Sequence, residues 1–189
     1  MRSKHDYRLE VRASANPEIV QRIYDESFFP AADLACPGVS RWTVDLRVPL
    51  ADGRLLAPVS AEMAAVLAGH AIDQVAGAGY GAFLLVGGIL AADVGMKGGL
   101  IRESRKPHGL RKRVEGALHP DRPVFLVDDI LSSGQTALRA ALSLREEGFR
   151  PVGVLTVLQY GWKEGAGRLR QAGLCAESLA TLQRPPFHG

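Results

Sequence analysis

Along the chain, amphipathic segments with helical spacing alternate with short runs that are continuously apolar. The helical spacing predicts helices over residues 17–28, 58–75, 88–94, 136–147 and 164–172. The apolar runs predict buried strands over residues 82–86, 123–127 and 152–158. Weaker β patterns add strands over 42–46, 99–102 and 177–182, the last as an edge strand. Because unbroken apolar strands between helices are typical of a parallel sheet covered on both faces, the sequence predicts an α/β fold with a mainly parallel central sheet.

The organisation of the chain predicts one structural unit. No repeat, low-complexity tract or Pro/Gly/Ser-rich linker divides the 189 residues, which suffice for one domain with a full core and not for two. We therefore expect residues 1–189 to form a single domain, with an N-terminal region over about 1–40 and a core over about 41–182. The glycine cluster at 77–81 is expected to end a helix and precede a strand, so its likeness to a dinucleotide fingerprint is discounted.

Composition narrows the class of protein. Apolar residues make up 47% and charged residues 23%, which is ordinary for a globular chain, and the formal net charge of +3 is only mildly basic. Two cysteines, Cys36 and Cys175, are too few for a disulfide scaffold and lack metal-ligand spacing. The start of the chain lacks a signal-peptide core, and the longest apolar stretch (82–96) falls short of the ~20 residues that a membrane span needs. We therefore expect a soluble, cytoplasmic protein.

The most informative segment is an apolar strand that leads into two carboxylates and a turn of small polar residues. Residues 124–136 read Val-Phe-Leu-Val-Asp-Asp-Ile-Leu-Ser-Ser-Gly-Gln-Thr. In open α/β sheets ligands bind at the carboxyl ends of strands, and N–H groups at a helix start attract anions. The turn therefore predicts a monophosphate cradle. The carboxylates Asp128 and Asp129 would repel phosphate, so they suit sugar hydroxyls or a magnesium ion. The order of residue types argues against a plain helix cap followed by a solvated loop.

Residues 104–119 are polar, basic and glycine-containing, without an apolar period, and predict a long loop. Taken alone, a basic run from Arg102 to Arg113 is typical of a solvated face or a nucleic-acid patch.

Three motifs resemble those of a known family. Residues 124–136 resemble the phosphoribosyl pyrophosphate (PRPP) motif of type I phosphoribosyltransferases. Residues 102–109 (Arg-Glu-Ser-Arg-Lys-Pro-His-Gly) are similar to the mobile catalytic loop of orotate phosphoribosyltransferase, and residues 40–47 (Ser-Arg-Trp-Thr-Val-Asp-Leu-Arg) to its early Ser-x-Tyr-x-x-Asp-x-Arg strand. The resemblance runs in the same order from about Phe28 to Leu182 and is weak between the motifs. It implies the type I phosphoribosyltransferase fold, with a small hood and a mobile catalytic loop.

The resemblance implies a reaction in which a ring nitrogen displaces pyrophosphate from PRPP, with Mg²⁺ on the pyrophosphate. Asp128 and Asp129 would hold the ribose hydroxyls, and Lys106 and His108 would close over the pyrophosphate of a neighbouring subunit. It thus implies a homodimer whose loop 103–118 reaches the neighbour. The implied catalytic residues are Lys106, His108, Asp128 and Asp129. The implied substrate-binding residues are Arg102, Arg105, Asp128, Asp129, Ile130, Leu131, Ser132, Ser133, Gly134, Gln135, Thr136 and Tyr160.

The chain departs from the family pattern where lysines and an arginine are expected. Glu103 and Ala35 stand where the family has lysines, and the pyrophosphate loop, expected after the strand 82–86, reads Val-Gly-Gly-Ile-Leu without one. Tyr160 stands where an arginine contacts orotate, and losing that charge-assisted contact would cost about 1.5–3 kcal/mol. Tyr160 and Trp162 either stack on a different base or pack on the adjacent helix. The PRPP half of the site is therefore expected to be intact, and the orotate half is not.

Three functions remain open at this point. The first is Mg²⁺-dependent transfer of the phosphoribosyl group to orotate or a related pyrimidine-like base, a step of nucleotide metabolism. The second is a catalytically degenerate regulator that binds PRPP or a nucleotide. The third, which the sequence favours least, is nucleic-acid binding by the stretch 102–113.

Overall fold

The computed structural model describes residues 7–30, 42–102 and 113–184, and its elements alternate in the α/β manner. The helices are α1 (Pro17–Ser27), α2 (Arg47–Leu50), α3 (Gly53–Gly69), α4 (Tyr80–Ala92), α5 (Gln135–Glu146) and α6 (Gly165–Gln171). The strands are β1 (Arg8–Val11), β2 (Phe28–Pro30), β3 (Trp42–Val44), β4 (Gln74–Ala78), β5 (Lys97–Ile101), β6 (Val114–Gly116), β7 (Pro123–Leu131), β8 (Arg150–Tyr160) and β9 (Cys175–Gln183).

A seven-stranded sheet with the order β1-β9-β8-β7-β4-β5-β6 forms the centre of the fold. The five inner strands run parallel, and β1 and β6 pair antiparallel at the two edges. A separate antiparallel pair joins β2 to β3. The predicted α/β architecture with a mainly parallel sheet is confirmed.

Both faces of the sheet are covered, and the strand residues alternate between them. Phe125 and Val127 of β7 belong to the core cluster under α1, α3 and α4, whereas Val124 and Leu126 belong to the cluster under α5 and α6. Side chains of a strand point to opposite faces in turn, so a strand covered on both sides must be apolar at every position. This is why residues 123–127 read as one continuous apolar run.

One predicted strand is wrong. Residues 82–86 lie in helix α4. Strand β4 precedes that helix, in a region where the sequence pattern predicted the end of a helix followed by a glycine cluster. The helix packs against α3 and the sheet and consists almost entirely of apolar residues, so it lacks the helical period. The strand contains Gly77, where a Cβ would lie 2.8 Å from Ala82 Cβ, and this close approach requires glycine.

Other boundaries also differ from those predicted. Strand β9 is not an edge strand, because β1 pairs with it. Part of the predicted loop 104–119 forms β6, and residues 104–112 lie outside the described residues. Strand β7 continues through Leu131, so the two carboxylates belong to the strand. In the described ranges, no helix combines the length and the apolar character that crossing a membrane requires.

Candidate functional site

The two adjacent carboxylates lie at the carboxyl end of β7. Asp128 pairs in register with Thr156 of β8, and both aspartates are half-buried. Asp128 Oδ1 accepts the backbone N–H of Asp129 (3.0 Å), and Asp129 Oδ1 accepts that of Ile130 (2.8 Å). These local hydrogen bonds hold both side chains over the end of the sheet, where the resemblance places the ribose.

Burial and the neighbouring charge of Asp129 raise the pKa of Asp128 to about 8. Asp128 therefore holds a proton to a higher pH than an exposed aspartate does. A protonated carboxyl can donate a hydrogen bond as well as accept one, which suits a ligand hydroxyl.

A cradle of backbone N–H groups follows the strand. Gly134 takes the left-handed conformation (φ 77°) and stands immediately before α5, so it offers no side chain to cap the first turn of the helix. Gly165 packs against it, and a Cβ on Gly134 would lie 3.1 Å from the carbonyl oxygen of Gly165. The turn borders a cavity of about 80 Å³ that also contacts Asp128 and Thr156. Its geometry fits one small anion at the positive end of the helix dipole.

The cradle opens into a wider cleft of about 490 Å³ over the ends of β4 and β7. Residues 79–81, at the start of α4, form one wall, and a Cβ on Gly81 would lie 2.6 Å from Asp129 Oδ2. The glycine cluster at 77–81 therefore spans the end of β4 and the start of α4, and residues 79–81 line the cleft, whereas the sequence predicted that the cluster precedes a strand. Residues 79–81 (Gly-Tyr-Gly) contain no lysine.

Arginines flank this cleft. Arg47 donates to Asp45 from Nε (2.8 Å) and Nη2 (2.6 Å); Asp45 raises the pKa of Arg47, and Asp129 adds to the rise. Arg102, the predicted substrate contact, lies in an adjoining cavity of about 460 Å³, with its Nη1 3.6 Å from Glu115 Oε1. Two further arginines, Arg113 and Arg139, line the same cavity. Arg47 thus lines the wider cleft, and the other three arginines line the adjoining cavity.

Several of these residues are not predicted as site residues by the sequence pattern. Asp45 and Arg47 stand in the quoted 40–47 motif but were given no role, and Gly81 belongs to the discounted glycine cluster. Arg113 was part of the basic run. No sequence signal singles out Arg139 on the surface of α5.

Tyr160 does not line the carboxylate cleft but packs in an aromatic cluster. Its ring lies 5.0 Å from that of Trp162 and 6.2 Å from that of Trp42. Trp42 Nε1 donates to the hydroxyl of Tyr7 (2.8 Å), which ties the N-terminal segment to the cluster. Burial, with the charge of Asp129 second, raises the pKa of Tyr160 to about 12. Tyr160 therefore stands close enough to Asp129 for the charge of that carboxylate to reach it.

Part of the predicted site lies outside the described residues, namely Arg105, Lys106 and His108, together with Ala35 and Glu103. The structure brings together Arg102, Asp128, Asp129 and the turn from Ser132 to Thr136 around connected cavities.

Comparison with solved structures identifies the fold class of the protein. The *M. tuberculosis* H37Rv orotate phosphoribosyltransferase in complex with Fe(III) dicitrate matches with a TM-score of 0.76 and 25% identity, covering 86% of this chain and 93% of that one. The structure of that enzyme with PRPP matches with a TM-score of 0.70 and 24% identity, over 87% and 89%. The chain therefore has the type I phosphoribosyltransferase fold, as predicted.

In amino-acid sequence, the chain resembles proteins named orotate phosphoribosyltransferase. The one from *Porphyromonas gingivalis* is 32% identical over 119 residues, which are 62% of this chain and 57% of that protein. The chain spans about half the length of the curated relatives that it matches. No family model matches it.

Proposed function

We propose that this protein transfers the phosphoribosyl group of PRPP to a ring nitrogen of a heterocyclic base and releases pyrophosphate. The observation that carries the proposal is the juxtaposition of the β7 carboxylates, the α5 cradle and the arginine-flanked cleft. The cradle, the carboxylates and the arginines follow one another in the same order as the phosphate, the ribose and the diphosphate of PRPP. The PRPP complex of a protein with the same fold supports the same assignment.

In the proposed mode, the 5-phosphate occupies the cradle from Ser132 to Thr136, and the ribose hydroxyls bond to Asp128 and Asp129. The diphosphate then extends toward Arg47 and Arg102. Displacement at the anomeric carbon develops positive charge on the sugar and negative charge on the leaving group. Arginines near the diphosphate stabilise the negative charge, and the carboxylate of Asp129 near the sugar stabilises the positive charge, because these groups are positioned before the reaction begins.

The residues present also fit Mg²⁺. This ion prefers oxygen ligands and is usually bound through one or two carboxylates together with substrate phosphates, and Asp128 and Asp129 offer such oxygens at the cleft. When bound, Mg²⁺ would neutralise part of the pyrophosphate charge. We further propose that Arg105, Lys106 and His108 of loop 103–118 close over the pyrophosphate of a neighbouring subunit. A homodimer and a cytoplasmic location stay predictions, which gel filtration and cell fractionation test.

The acceptor is proposed to be orotate or a related pyrimidine-like base. Tyr160, rather than an arginine, stands at the position that the resemblance assigns to the orotate carboxylate, and it belongs to an aromatic cluster. An aromatic wall favours contact with a flat ring over recognition of a carboxylate. A panel of bases with and without a carboxylate therefore decides the acceptor.

The test combines binding and turnover. PRPP binding in the presence of Mg²⁺ is measured by calorimetry, and release of pyrophosphate is measured with each base of the panel. Asp129→Asn should weaken PRPP binding at least tenfold, whereas Asp121→Asn, an exposed aspartate away from the cleft, should leave it unchanged. Absence of binding heat for PRPP with the wild-type protein would refute the proposal.

A regulator that binds PRPP without catalysis is the second candidate, because the pyrophosphate loop that the resemblance assigns to residues 86–90 carries no lysine and Glu103 reverses a charge in the expected catalytic loop. Lys106→Ala separates the two functions. In an enzyme the substitution should remove most of the turnover, whereas a regulator binds PRPP without releasing pyrophosphate and should keep its affinity for PRPP in the variant.

A further inference from the structure

We propose that His70, Cys175 and Glu177 form a binding site for a transition-metal dication of borderline softness, with Zn²⁺ as the test ion. The three side chains cluster with one potential ligand atom each, and these atoms all lie within 4.8 Å of one another. The donor set of one imidazole, one thiolate and one carboxylate is of the kind that Zn²⁺ binds in proteins, and it leaves a fourth position for water.

The two distances that Glu177 makes match the spacing of metal ligands. Glu177 Oε1 lies 3.4 Å from His70 Nε2 and 3.6 Å from Cys175 Sγ. Bond lengths of about 2.0–2.3 Å in a tetrahedral arrangement separate neighbouring ligand atoms by roughly 3.3–3.5 Å. Little movement is therefore needed for an ion to enter between them.

Local structure explains why the three residues meet. Cys175 and Glu177 are alternate residues of β9 and share one face of the strand, and His70 directly follows α3. The imidazole lies on the ring of Phe125, with 5.4 Å between the ring centroids. Gly153, the register partner of both Phe125 and Cys175, leaves room for that ring, since a Cβ there would lie 2.3 Å from Phe125 Cζ.

Arg12 holds the carboxylate in a ligand-like orientation. It pairs with Glu177 Oε2, so Oε1 is left facing the histidine and the cysteine. Hydrogen bonds to the outer oxygen of a ligating carboxylate are a common feature of metal sites. The Cys175 S–H now donates to Glu177 Oε1. On binding, that proton leaves to solvent, a sulfur–metal bond forms, and the carboxylate oxygen bonds to the ion instead of accepting the proton.

The proposed metal site is separate from the carboxylate cleft. Asp128 is in register with Thr156, which is in register with Ser178, three residues beyond Cys175. Two strand spacings and three residues correspond to roughly 14 Å between the Cα atoms of Cys175 and Asp128. An ion there would tie the end of α3 to the start of β9 without touching a substrate in the cleft, so its expected effect is on stability. The side chain of His70 is 34% exposed, which gives an ion access from solvent.

The experiment uses the full, untagged chain after treatment with a chelator. Calorimetric titration with Zn²⁺ should give one ion per chain and a raised melting temperature, and Co²⁺ should give a thiolate-to-metal charge-transfer band. Cys175→Ser should abolish that band and weaken Zn²⁺ binding at least tenfold. Cys36→Ser, which changes the other cysteine of the chain, should leave both unchanged.

A second pair of variants covers the case in which Cys175→Ser fails to fold. His70→Ala removes a partly exposed side chain and should weaken Zn²⁺ binding at least tenfold, whereas His119→Ala should not. The proposal is overturned if the wild-type protein binds no Zn²⁺ under these conditions. It is equally overturned if the folded Cys175 or His70 variant binds Zn²⁺ as tightly as the wild type.

Discussion

Replacing Asp128 with asparagine should make the stability of the protein less sensitive to pH. The substitution preserves the size of the side chain and its oxygen acceptor for the backbone N–H of Asp129. It removes a carboxyl group whose pKa burial and the charge of Asp129 raise to about 8, from an ordinary value of 3.8. The folded protein therefore holds this proton more tightly than the unfolded chain does.

The sign and size of the effect follow from that difference in pKa. The stabilisation linked to this proton is fully present below about pH 4 and is lost as the pH rises toward about 8. Within this window each pH unit lowers the wild-type unfolding free energy by at most about 1.4 kcal/mol. Because Asp128 is partly solvated, we expect the stability of Asp128→Asn relative to wild type to rise by about 1–2 kcal/mol between pH 5 and pH 7.

Urea unfolding at pH 5, 6, 7 and 8 measures the difference directly. Asp121→Asn, at an exposed aspartate, serves as the matched control and should follow the wild type at every pH. The gap between wild type and Asp128→Asn should widen steadily over this range. A gap that stays constant or narrows with pH would refute the assignment of a protonated carboxyl to this position.

Two further substitutions test the close approaches in the structure. Gly81→Ala places a Cβ 2.6 Å from Asp129 Oδ2 and should weaken PRPP binding, measured by calorimetry, at least tenfold. Gly87→Ala on the same helix is the control, because a Cβ there has nothing within 4 Å and should leave PRPP binding unchanged. Equal PRPP affinities of the two variants would contradict the role of Gly81. Gly153→Ala places a Cβ 2.3 Å from Phe125 Cζ and should lower the unfolding free energy in urea by about 1–3 kcal/mol. Unchanged stability would show that the phenyl ring moves aside without cost.

The elements that the sequence predicted well are those whose local pattern agrees with their final surroundings. Strands β7 and β8 are covered on both faces and therefore read as continuous apolar runs, and α5 has one buried side and one exposed side. The pattern failed for β4 and α4. There, a glycine-rich strand carries little side-chain signal, and an enclosed helix is apolar on every side.

The candidate site also has a part that the sequence predicted and a part that it did not. The sequence alone predicted the carboxylate pair and the small-residue turn beside it, because all their groups follow one another within a single strand–turn–helix unit whose geometry is local. The tertiary structure decided which cations face that unit, that Gly81 touches Asp129, and that His70 meets Cys175. Strand order and helix packing set those distances, and they depend on contacts summed over the whole core rather than on the residues next to each group in the chain.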